Sequence, residues 1–215
     1  MTTFTSYSQC GQDMFAYSVC ATDKGTFLDI GACYATKSNN TYGLECKGWS
    51  GITIDYCGDY AAQYTGVRKA PLTVLDMTAI DWDAFIAEHP MLQDTVDYMS
   101  FDIDEASLQV LRKFPFDRLR FRALTVEHDA YRRGDAVRKE IRSILKNAGY
   151  DAIATDVMVR IMWNGRPEAV AFEDWYVRPE LVDMRVANRF RCHAKLWSEV
   201  LTTGLSDAEN LWVPI

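Results

Sequence analysis

Acidic side chains follow two apolar segments of the chain, at the points where each segment ends. Asp102 and Asp104 come directly after the run 96–101, and Glu127 and His128 follow a second run further along. Alternation along an extended chain puts Asp102 and Asp104 on one side. Carboxylates beside a histidine could act as the general base for a hydroxyl acceptor. Their oxygens could also hold a divalent cation, although acidic clusters more often serve as helix caps and hydrogen-bond acceptors.

A second group of residues lies in the first quarter of the chain. Residues 26–30 indicate a strand, and the small residues Gly31 and Ala32 that follow it allow a close approach between backbone and ligand. A second predicted strand, 51–55, ends in Asp55. Sheets that bind nucleosides place a carboxylate at this point, where it can accept hydrogen bonds from both ribose hydroxyls. These residues predict a nucleoside-containing ligand above the sheet.

Strand and helix patterns alternate through the first two thirds of the chain, which predicts a parallel sheet with helices on both faces. The predicted strands cover 26–30, 51–55, 72–75, 96–101 and 119–126. The predicted helices cover 11–22, 39–47, 59–64, 82–88, 105–113 and 134–147. The acidic groups described above all follow strands. We therefore expect them at the carboxyl edge of the sheet, where open α/β folds bind their ligands.

The pattern changes near residue 150. Two β-rich runs, 153–163 and 169–177, flank Asn164-Gly165-Arg166-Pro167, and Asn-Gly between such runs is a strong hairpin signal. Five alternating strands closed by an antiparallel hairpin resemble the plan of class I methyltransferases. The hairpin therefore separates this plan from an all-parallel dinucleotide-binding fold.

The last part of the chain indicates a helix over 180–203, because Leu196 and Val200 lie four residues apart, as do Trp197 and Leu201. We expect one methyltransferase-like domain over 1–179 that begins with a helical segment. Residues 180–215 are expected to form a helical extension packed on that domain. A homodimer contact or a substrate lid is the alternative for this extension.

Composition limits the classes of function. The chain has 215 residues, 48% of them apolar, and a formal net charge of −7. This size fits one α/β domain, and the negative charge argues against binding to nucleic acid or anionic membranes. The first twenty residues are too polar for a signal peptide, and no window approaches the ~20 apolar residues of a membrane span. The six cysteines form no Cys-x-x-Cys pair, which favours reduced thiols in a cytoplasmic protein.

Several blocks of sequence, in order, are similar to the FkbM-type S-adenosylmethionine-dependent methyltransferases. The resemblance covers about residues 8–179 and leaves the C-terminal extension outside it. Its blocks are Ser8-Gln-Cys-Gly-Gln-Asp13, Gly25-Thr-Phe-Leu-Asp-Ile-Gly-Ala32, Asn40-Thr-Tyr-Gly-Leu-Glu45, Gly48-Trp-Ser-Gly-Ile52, Val96-Asp-Tyr-Met-Ser-Phe-Asp-Ile-Asp104, Leu124-Thr-Val-Glu-His-Asp129 and Asp174-Trp-Tyr-Val-Arg-Pro179.

The resemblance implies a doubly wound, mostly parallel sheet, S-adenosylmethionine as cofactor, and methylation of a hydroxyl on a small molecule or glycan. The residues it implies for cofactor binding are Gln9, Asp13, Asp29, Gly31, Ala32, Asn40, Asp55, Tyr56, Asp76 and Met77. Among them, Asp76 ends the third strand, where such enzymes often bind the adenine amino group. At the end of the site where methyl transfer takes place, the resemblance implies four catalytic residues: Asp102, Asp104, Glu127 and His128. No metal ligand is assigned, and a divalent metal is an alternative that is not favoured.

The chain departs from this family at three places. Cys33-Tyr34-Ala35 stands where the family usually has Asn, a small or acidic residue and often Gly or Pro. Asp55-Tyr56 replaces the usual Glu-Pro after the second strand, and Asp104-Glu105-Ala106-Ser107 replaces Glu-Gly-x-Glu. These changes leave a first alternative open, a cofactor-binding or interaction module that has lost turnover.

The second alternative is a nucleotide-binding oxidoreductase of the NAD type. It lacks support because, after Gly31, positions 33 and 36 are Cys and Thr, so the Gly-x-Gly-x-x-Gly motif is missing. It also predicts a parallel sixth strand where the sequence indicates a hairpin.

Overall fold

The computed structural model describes residues 4–93, 95–163 and 165–206, which form one mixed sheet flanked by helices. The order of its strands is β3-β2-β1-β4-β5-β7-β6-β8. The strands are β1 (Thr26–Ile30), β2 (Ser50–Asp55), β3 (Leu72–Val74), β4 (Val96–Phe101), β5 (Phe121–Glu127), β6 (Asp151–Trp163), β7 (Arg166–Val177) and β8 (Cys192–His193). The first five pair in parallel, and their carboxyl ends meet at one edge of the sheet, here called the carboxyl edge.

Helices cover both faces of this sheet. They are α1 (Gln12–Cys20), α2 (Tyr42–Cys46), α3 (Ala61–Tyr64), α4 (Trp82–Glu88), α5 (Ser107–Leu111), α6 (Ala130–Arg133), α7 (Asp135–Asn147), α8 (Met184–Ala187) and α9 (Trp197–Gly204). Short 3-10 turns lie at Gly58–Tyr60, Met77–Ala79, Pro90–Gln93, Asp104–Ala106, Pro179–Leu181 and Asn188–Phe190. Up to residue 177, the predicted strands and helices agree with these bounds to within a few residues. The doubly wound α/β fold is therefore confirmed.

Two apolar cores lie on opposite faces of the sheet, as its near-continuous apolar strands require. On one face, Leu28 and Met99 of the sheet pack with side chains of α4, α5 and α7. On the other face, Phe15 of α1 stacks on Trp175 at a ring distance of 4.8 Å. The side chains of both cores are almost fully excluded from solvent. Their packing against the sheet holds the strand ends in place.

The predicted antiparallel hairpin is present. β7 runs antiparallel to β5 from Ala123 opposite Val177 to Glu127 opposite Glu173. β6 pairs antiparallel with β7 and contains register shifts between Ala152 and Met158. Asn164 lies outside the described residues. An antiparallel β7 contradicts the parallel sixth strand that the oxidoreductase alternative requires.

The continuous helix predicted over 180–203 is wrong. The chain instead forms α8, the strand β8 and α9. β8 pairs in parallel with β6, and Ala194, with a φ of 52°, interrupts the helical path. Its N–H donates to the Thr155 carbonyl, and the Met158 N–H donates to the Lys195 carbonyl. The irregular outer edge of β6 therefore obtains backbone partners that a helix could not supply.

α9 packs on the main body of the protein. Its residues Val200 and Leu201 are buried in the same apolar core as Phe15. Leu201 lies so close to Gly11, at the start of α1, that a Cβ on that glycine would be 2.3 Å from its side chain. Leu211 to Ile215 lie outside the described residues. Within the described part of the chain, no helix has both the length and the apolar character needed to cross a bilayer.

Candidate functional site

A cavity of about 820 Å³ opens above the carboxyl edge of β1, β2, β4 and β5. This volume lies within the range of about 300–1,000 Å³ that is usual for small-molecule sites. The cavity brings together most of the candidate site residues predicted from the sequence. The candidates that line it are Gln9, Gly31, Asp55, Tyr56, Asp76, Met77, Asp102, Asp104 and Glu127. Asp13, Asp29, Ala32, Asn40 and His128 lie outside its lining.

Asp55 ends β2 and organises the floor of the cavity. Its two carboxylate oxygens accept hydrogen bonds from the backbone N–H groups of Cys33, at 3.0 Å, and Cys57, at 2.8 Å. Cys33 has a φ of 51°, so the first of these bonds holds a backbone conformation that non-glycine residues rarely adopt. A carboxylate offers about four acceptor positions, so each oxygen can accept one further hydrogen bond from a ligand.

Gly31 is required by a contact within the chain. It has a φ of 89°, and a Cβ at this position would lie 1.5 Å from the backbone oxygen of Asp102. The Gly31 and Ala32 N–H groups both donate to the Ile54 carbonyl at 2.9 Å. The glycine therefore lets the ends of β1 and β4 approach each other, and its own surface forms part of the cavity. The sequence motif predicted a close approach between backbone and ligand, whereas the close contact in the structure is with the backbone of Asp102.

Asp76 and Met77 lie at the far end of the cavity, after β3. Asp76 is exposed and caps a 3-10 turn, because one of its oxygens accepts hydrogen bonds from the N–H and the hydroxyl of Thr78. These hydrogen bonds lower the pKa of Asp76 below its usual value. Met77 is buried and forms an apolar surface beside this carboxylate.

Asp29 and Asn40 support the cavity from behind. Asp29 is buried and accepts a hydrogen bond of 2.7 Å from the Thr41 hydroxyl. Burial raises the pKa of Asp29 to about 6, although that hydrogen bond and the charge of Arg68 oppose the shift. The amide of Asn40 donates to the Ser100 hydroxyl at 2.9 Å. Both side chains therefore connect the loop after β1 to the sheet.

Asp13 binds the N-terminal segment that passes over α1. Its oxygens accept hydrogen bonds from the hydroxyls of Ser6 and Ser8, both at 2.6 Å, and from the Tyr7 N–H at 2.9 Å. This fixes the path of residues 6–8 and places the following residue, Gln9, in the lining of the cavity.

Arg68 was not predicted as a site residue, because an arginine in a loop between Gly66 and Pro71 is ordinarily expected to be exposed. Its side chain is fully buried and lies 3.2 Å from the Glu45 carboxylate. Its guanidinium donates to the Ala35 carbonyl and the Asn39 side-chain oxygen, both at 3.0 Å, and to the Thr41 hydroxyl at 3.1 Å. One cation thus holds both ends of the loop that contains Cys33, Tyr34 and Ala35.

The opposite end of the cavity is acidic. Asp102 follows β4, and burial together with the negative charges of Glu173 and Asp104 raises its pKa well above the usual value. Glu127 is buried at the end of β5, while Asp104 is exposed. Asp102, Asp104 and Glu127 all line the cavity, as their positions after strands predicted.

Asp104, Glu127 and Asp129 could together hold a cation. One oxygen from each lies within 4.8 Å of the others. Arg132 already brings positive charge to this group, since its Nη1 atom lies 3.5 Å from Asp129 Oδ2 and 3.9 Å from Asp104 Oδ1. The arrangement therefore suits either a guanidinium or a divalent ion.

His128 points away from the cavity and into a buried ionic cluster. Its Nδ1 accepts a hydrogen bond from the Ala130 N–H at 3.2 Å, so Nε2 carries the proton of the neutral ring. Nε2 lies 3.4 Å from Asp174 and 3.6 Å from Asp156. Burial alone would raise the pKa of Asp174, but hydrogen bonds from Arg142 and His128 hold it well below its usual range. In this structure His128 joins β5 to β7 and does not face the space above Asp102.

The sequence did not predict several of the residues that line the cavity. Val159, Ile161 and Met162 of β6 and Phe172 of β7 line the cavity, as does Tyr131 of α6. Apolar side chains in a predicted hairpin carry no chemical signature. Only the length of the two β-rich runs, which exceeds that of β5, could have indicated that the hairpin reaches past the sheet.

No protein-family model matches this sequence, and no curated protein is detectably similar to it. The fold does match solved structures. A TehB-like SAM-dependent methyltransferase from Corynebacterium glutamicum has a TM-score of 0.51 at 11% identity, covering 80% of this chain and 89% of that one. The Dnmt2 methyltransferase of S. pombe has a TM-score of 0.52 at 14% identity, covering 72% of this chain and 49% of that one. A SAM-dependent O-methyltransferase from Thermotoga maritima has a TM-score of 0.50 at 9% identity, covering 83% and 67%.

These matches show the fold alone, because the sequence identities are low. The fold is that of the class I, Rossmann-like methyltransferases, with a mostly parallel sheet and a C-terminal antiparallel hairpin. A match in fold alone leaves the methyl acceptor of this protein open. None of the comparisons identifies the narrower FkbM-type family that the sequence motifs resemble.

Proposed function

We propose that this protein is a methyltransferase that uses S-adenosylmethionine and methylates a hydroxyl group. The observation that carries the proposal is the single cavity that joins Gly31, Asp55 and Asp76 to Asp102 and Glu127 in a methyltransferase fold. The ordered sequence blocks support a place near the FkbM-type enzymes. The departures at residues 33–35 and 104–107 mark it as a divergent one.

The residues present fit the cofactor. S-adenosylmethionine supplies an activated methyl group, while the protein supplies binding, orientation and electrostatics. Asp55 would accept hydrogen bonds from the ribose hydroxyls through its two remaining acceptor positions. Met77 and Asp76 would face the adenine ring, one by apolar contact and the other by accepting from its amino group. The hydrogen bonds from residues 6–8 to Asp13 hold Gln9 in place, and Gln9 would cover the end of the cofactor opposite the adenine ring.

The acceptor hydroxyl would lie near Asp102 and Glu127. A carboxylate with a raised pKa is a stronger base than an ordinary carboxylate, so it is better suited to take up the proton that the hydroxyl loses. Asp104 is exposed at the rim and would orient the acceptor rather than receive the proton. His128 has no role in this proposal, since it binds Asp174 instead.

The proposal favours a catalyst over a module that has lost turnover. A binding module needs only the nucleoside part of the cavity, yet this cavity continues past Asp102 to Glu127, Tyr131 and Phe172. The chain therefore offers space for a second ligand beside the cofactor. We also propose a cytoplasmic location, because all six cysteines are free thiols, as expected in a reducing compartment.

Calorimetric titration with S-adenosylhomocysteine, the demethylated product, tests this proposal. We expect wild-type protein to bind it and Asp55→Ala to weaken binding more than about 100-fold, since two hydrogen bonds to a charged group contribute about 1.5–3 kcal/mol each. Asp104→Ala should retain affinity and lower turnover once an acceptor is known. Asp117→Asn, an exposed acid at the opposite edge of the sheet, is the matched control.

Two results would contradict the proposal. Absence of binding by the wild-type protein at millimolar concentration of S-adenosylmethionine and S-adenosylhomocysteine would exclude the cofactor. Normal binding by Asp55→Ala would exclude the assignment of Asp55 to the ribose.

A further inference from the structure

The β6–β7 hairpin extends beyond the carboxyl edge of the sheet. Pairing between β5 and β7 ends where Glu127 lies opposite Glu173. Pairing between β6 and β7 continues from Met158 opposite Ala171 to Trp163 opposite Arg166. At about 3.3 Å per residue, the six steps from Val157, which pairs with Glu173, to Trp163 extend roughly 20 Å beyond the point where β5 ends. It therefore forms a wall beside the acidic end of the cavity.

The wall is apolar on the side that faces the cavity. Val159, Ile161, Met162 and Phe172 all line it. Val159 and Phe172 are buried against Tyr131 and Trp197, which keeps this surface in place. Met162 is 69% exposed, a large apolar surface left open to solvent at the rim. Apolar side chains that remain exposed beside a cavity are characteristic of ligand sites.

The charge of the cavity restricts the ligand further. Six carboxylates line it, those of Asp55, Asp76, Asp102, Asp104, Glu105 and Glu127. Among the described residues that line it, Arg132 is the sole cationic side chain, and it lies beside Asp104 and Asp129. An anionic group would meet repulsion here from several directions, and like-charge contacts are a strong source of specificity.

We propose that the acceptor is an uncharged alcohol with an apolar body, bound with that body against the hairpin wall and its hydroxyl toward Asp102 and Glu127. The inference rests on the proposed function for the role of the hydroxyl, and on the wall and the charge distribution for the class of ligand. It predicts that phosphorylated sugars and nucleic acid are not acceptors, because their phosphates would face the carboxylates of Asp102, Asp104 and Glu127.

Three small probes separate the contributions of apolar body and charge. 4-Phenyl-1-butanol carries an apolar body and a hydroxyl, 1,4-butanediol lacks the ring, and 4-phenylbutyrate replaces the alcohol by an anion. Binding is measured by ligand-observed NMR titration, with and without S-adenosylhomocysteine. A short single-stranded RNA is titrated at physiological salt as the nucleic-acid arm.

We expect 4-phenyl-1-butanol to bind at least about tenfold more tightly than either other probe, given the apolar area that the ring buries. Ile161→Ser and Met162→Ser should each weaken its binding about threefold to tenfold, since each removes apolar contact area. Val67→Ser is the matched control, because Val67 is similarly exposed but lies outside the cavity. It should leave all affinities unchanged.

The inference is overturned if 4-phenyl-1-butanol shows no saturable binding at millimolar concentration, or if the diol or the butyrate binds as tightly. RNA binding that 4-phenyl-1-butanol displaces would also overturn it. Failure of the proposed function is a different result. In that case S-adenosylhomocysteine does not bind, while the alcohol keeps its preference and its sensitivity to Ile161→Ser and Met162→Ser.

Discussion

Replacing Arg68 by methionine should destabilise the whole domain, because this buried cation has several partners at once. Methionine keeps a similar apolar stem but removes the charge and every donor. Glu45 then remains buried without its counter-charge, a change that typically costs about 3–5 kcal/mol. Glu45 still accepts hydrogen bonds from the N–H groups of Lys69 and Ala70, at 2.9 and 3.0 Å. We therefore expect the lower end of that range, about 3 kcal/mol.

The guanidinium also lies over two aromatic rings, with distances of 5.5 Å to the Tyr42 ring and 5.4 Å to the Tyr64 ring. Such contacts contribute about 0.5–1 kcal/mol or more each. Methionine would still touch both rings through its polarisable sulfur, so this part of the loss should be small. The expected effect of Arg68→Met is therefore dominated by the unpaired Glu45 carboxylate.

Urea unfolding at pH 7 measures the effect, and a double-mutant cycle identifies its cause. The cycle compares Arg68→Met, Glu45→Gln and the double variant. If the unpaired charge causes the loss, the double variant should be clearly more stable than Arg68→Met alone. A loss below about 1 kcal/mol for Arg68→Met, or strict additivity in the cycle, would refute this reasoning.

Further substitutions test the turn at Gly31 and the buried carboxyl group of Glu173. Gly31→Ala should destabilise the protein by about 3 kcal/mol or more, from the positive φ and from a methyl group placed against the Asp102 carbonyl. Thermal unfolding should show only about 1–2 kcal/mol for Gly66→Ala, which has a similar φ with open space around it, and equal losses would contradict the steric argument. Burial raises the pKa of Glu173 to about 7, so the neutral form is favoured on folding and stability falls as pH rises from about 4.5 through 7. Unfolding measured from pH 5 to 8 should show a smaller slope in Glu173→Gln, with the remainder due to Asp29 and Asp102, whose pKa values burial also raises, and an unchanged slope would contradict this role of Glu173.

Much of the sheet was predictable from local patterns. The strand ends at Ile30, Asp55 and Phe101 follow from short apolar runs, and Asn-Gly near residue 164 predicted the hairpin. These features depend on residues close together in sequence. The helix predicted over 180–203 failed because its backbone pairs with β6, a partner about 40 residues away.

The candidate site was partly predictable for the same reason. Carboxylates that follow strands meet at one edge of the sheet, so Asp55, Asp102 and Glu127 were placed correctly beside one cavity. The direction of a side chain was not predictable. His128 is adjacent to Glu127, but its ring lies among Asp156 and Asp174, which come from the hairpin. The burial of Arg68 was invisible as well, since it depends on Glu45 and the loop after β1.

The two ends of the cavity come from different stretches of the chain. The end that contains Gly31, Asp55 and Asp76 is formed by residues before about 106, and the apolar wall by residues 159–172. The overhang beyond Glu173 makes no pairs with β5. Its tip could therefore be lengthened, shortened or exchanged without disturbing the parallel strands. If the protein has the proposed function, the choice of acceptor and the binding of the cofactor can change independently, and exchanging the hairpin tip is the natural way to change the acceptor.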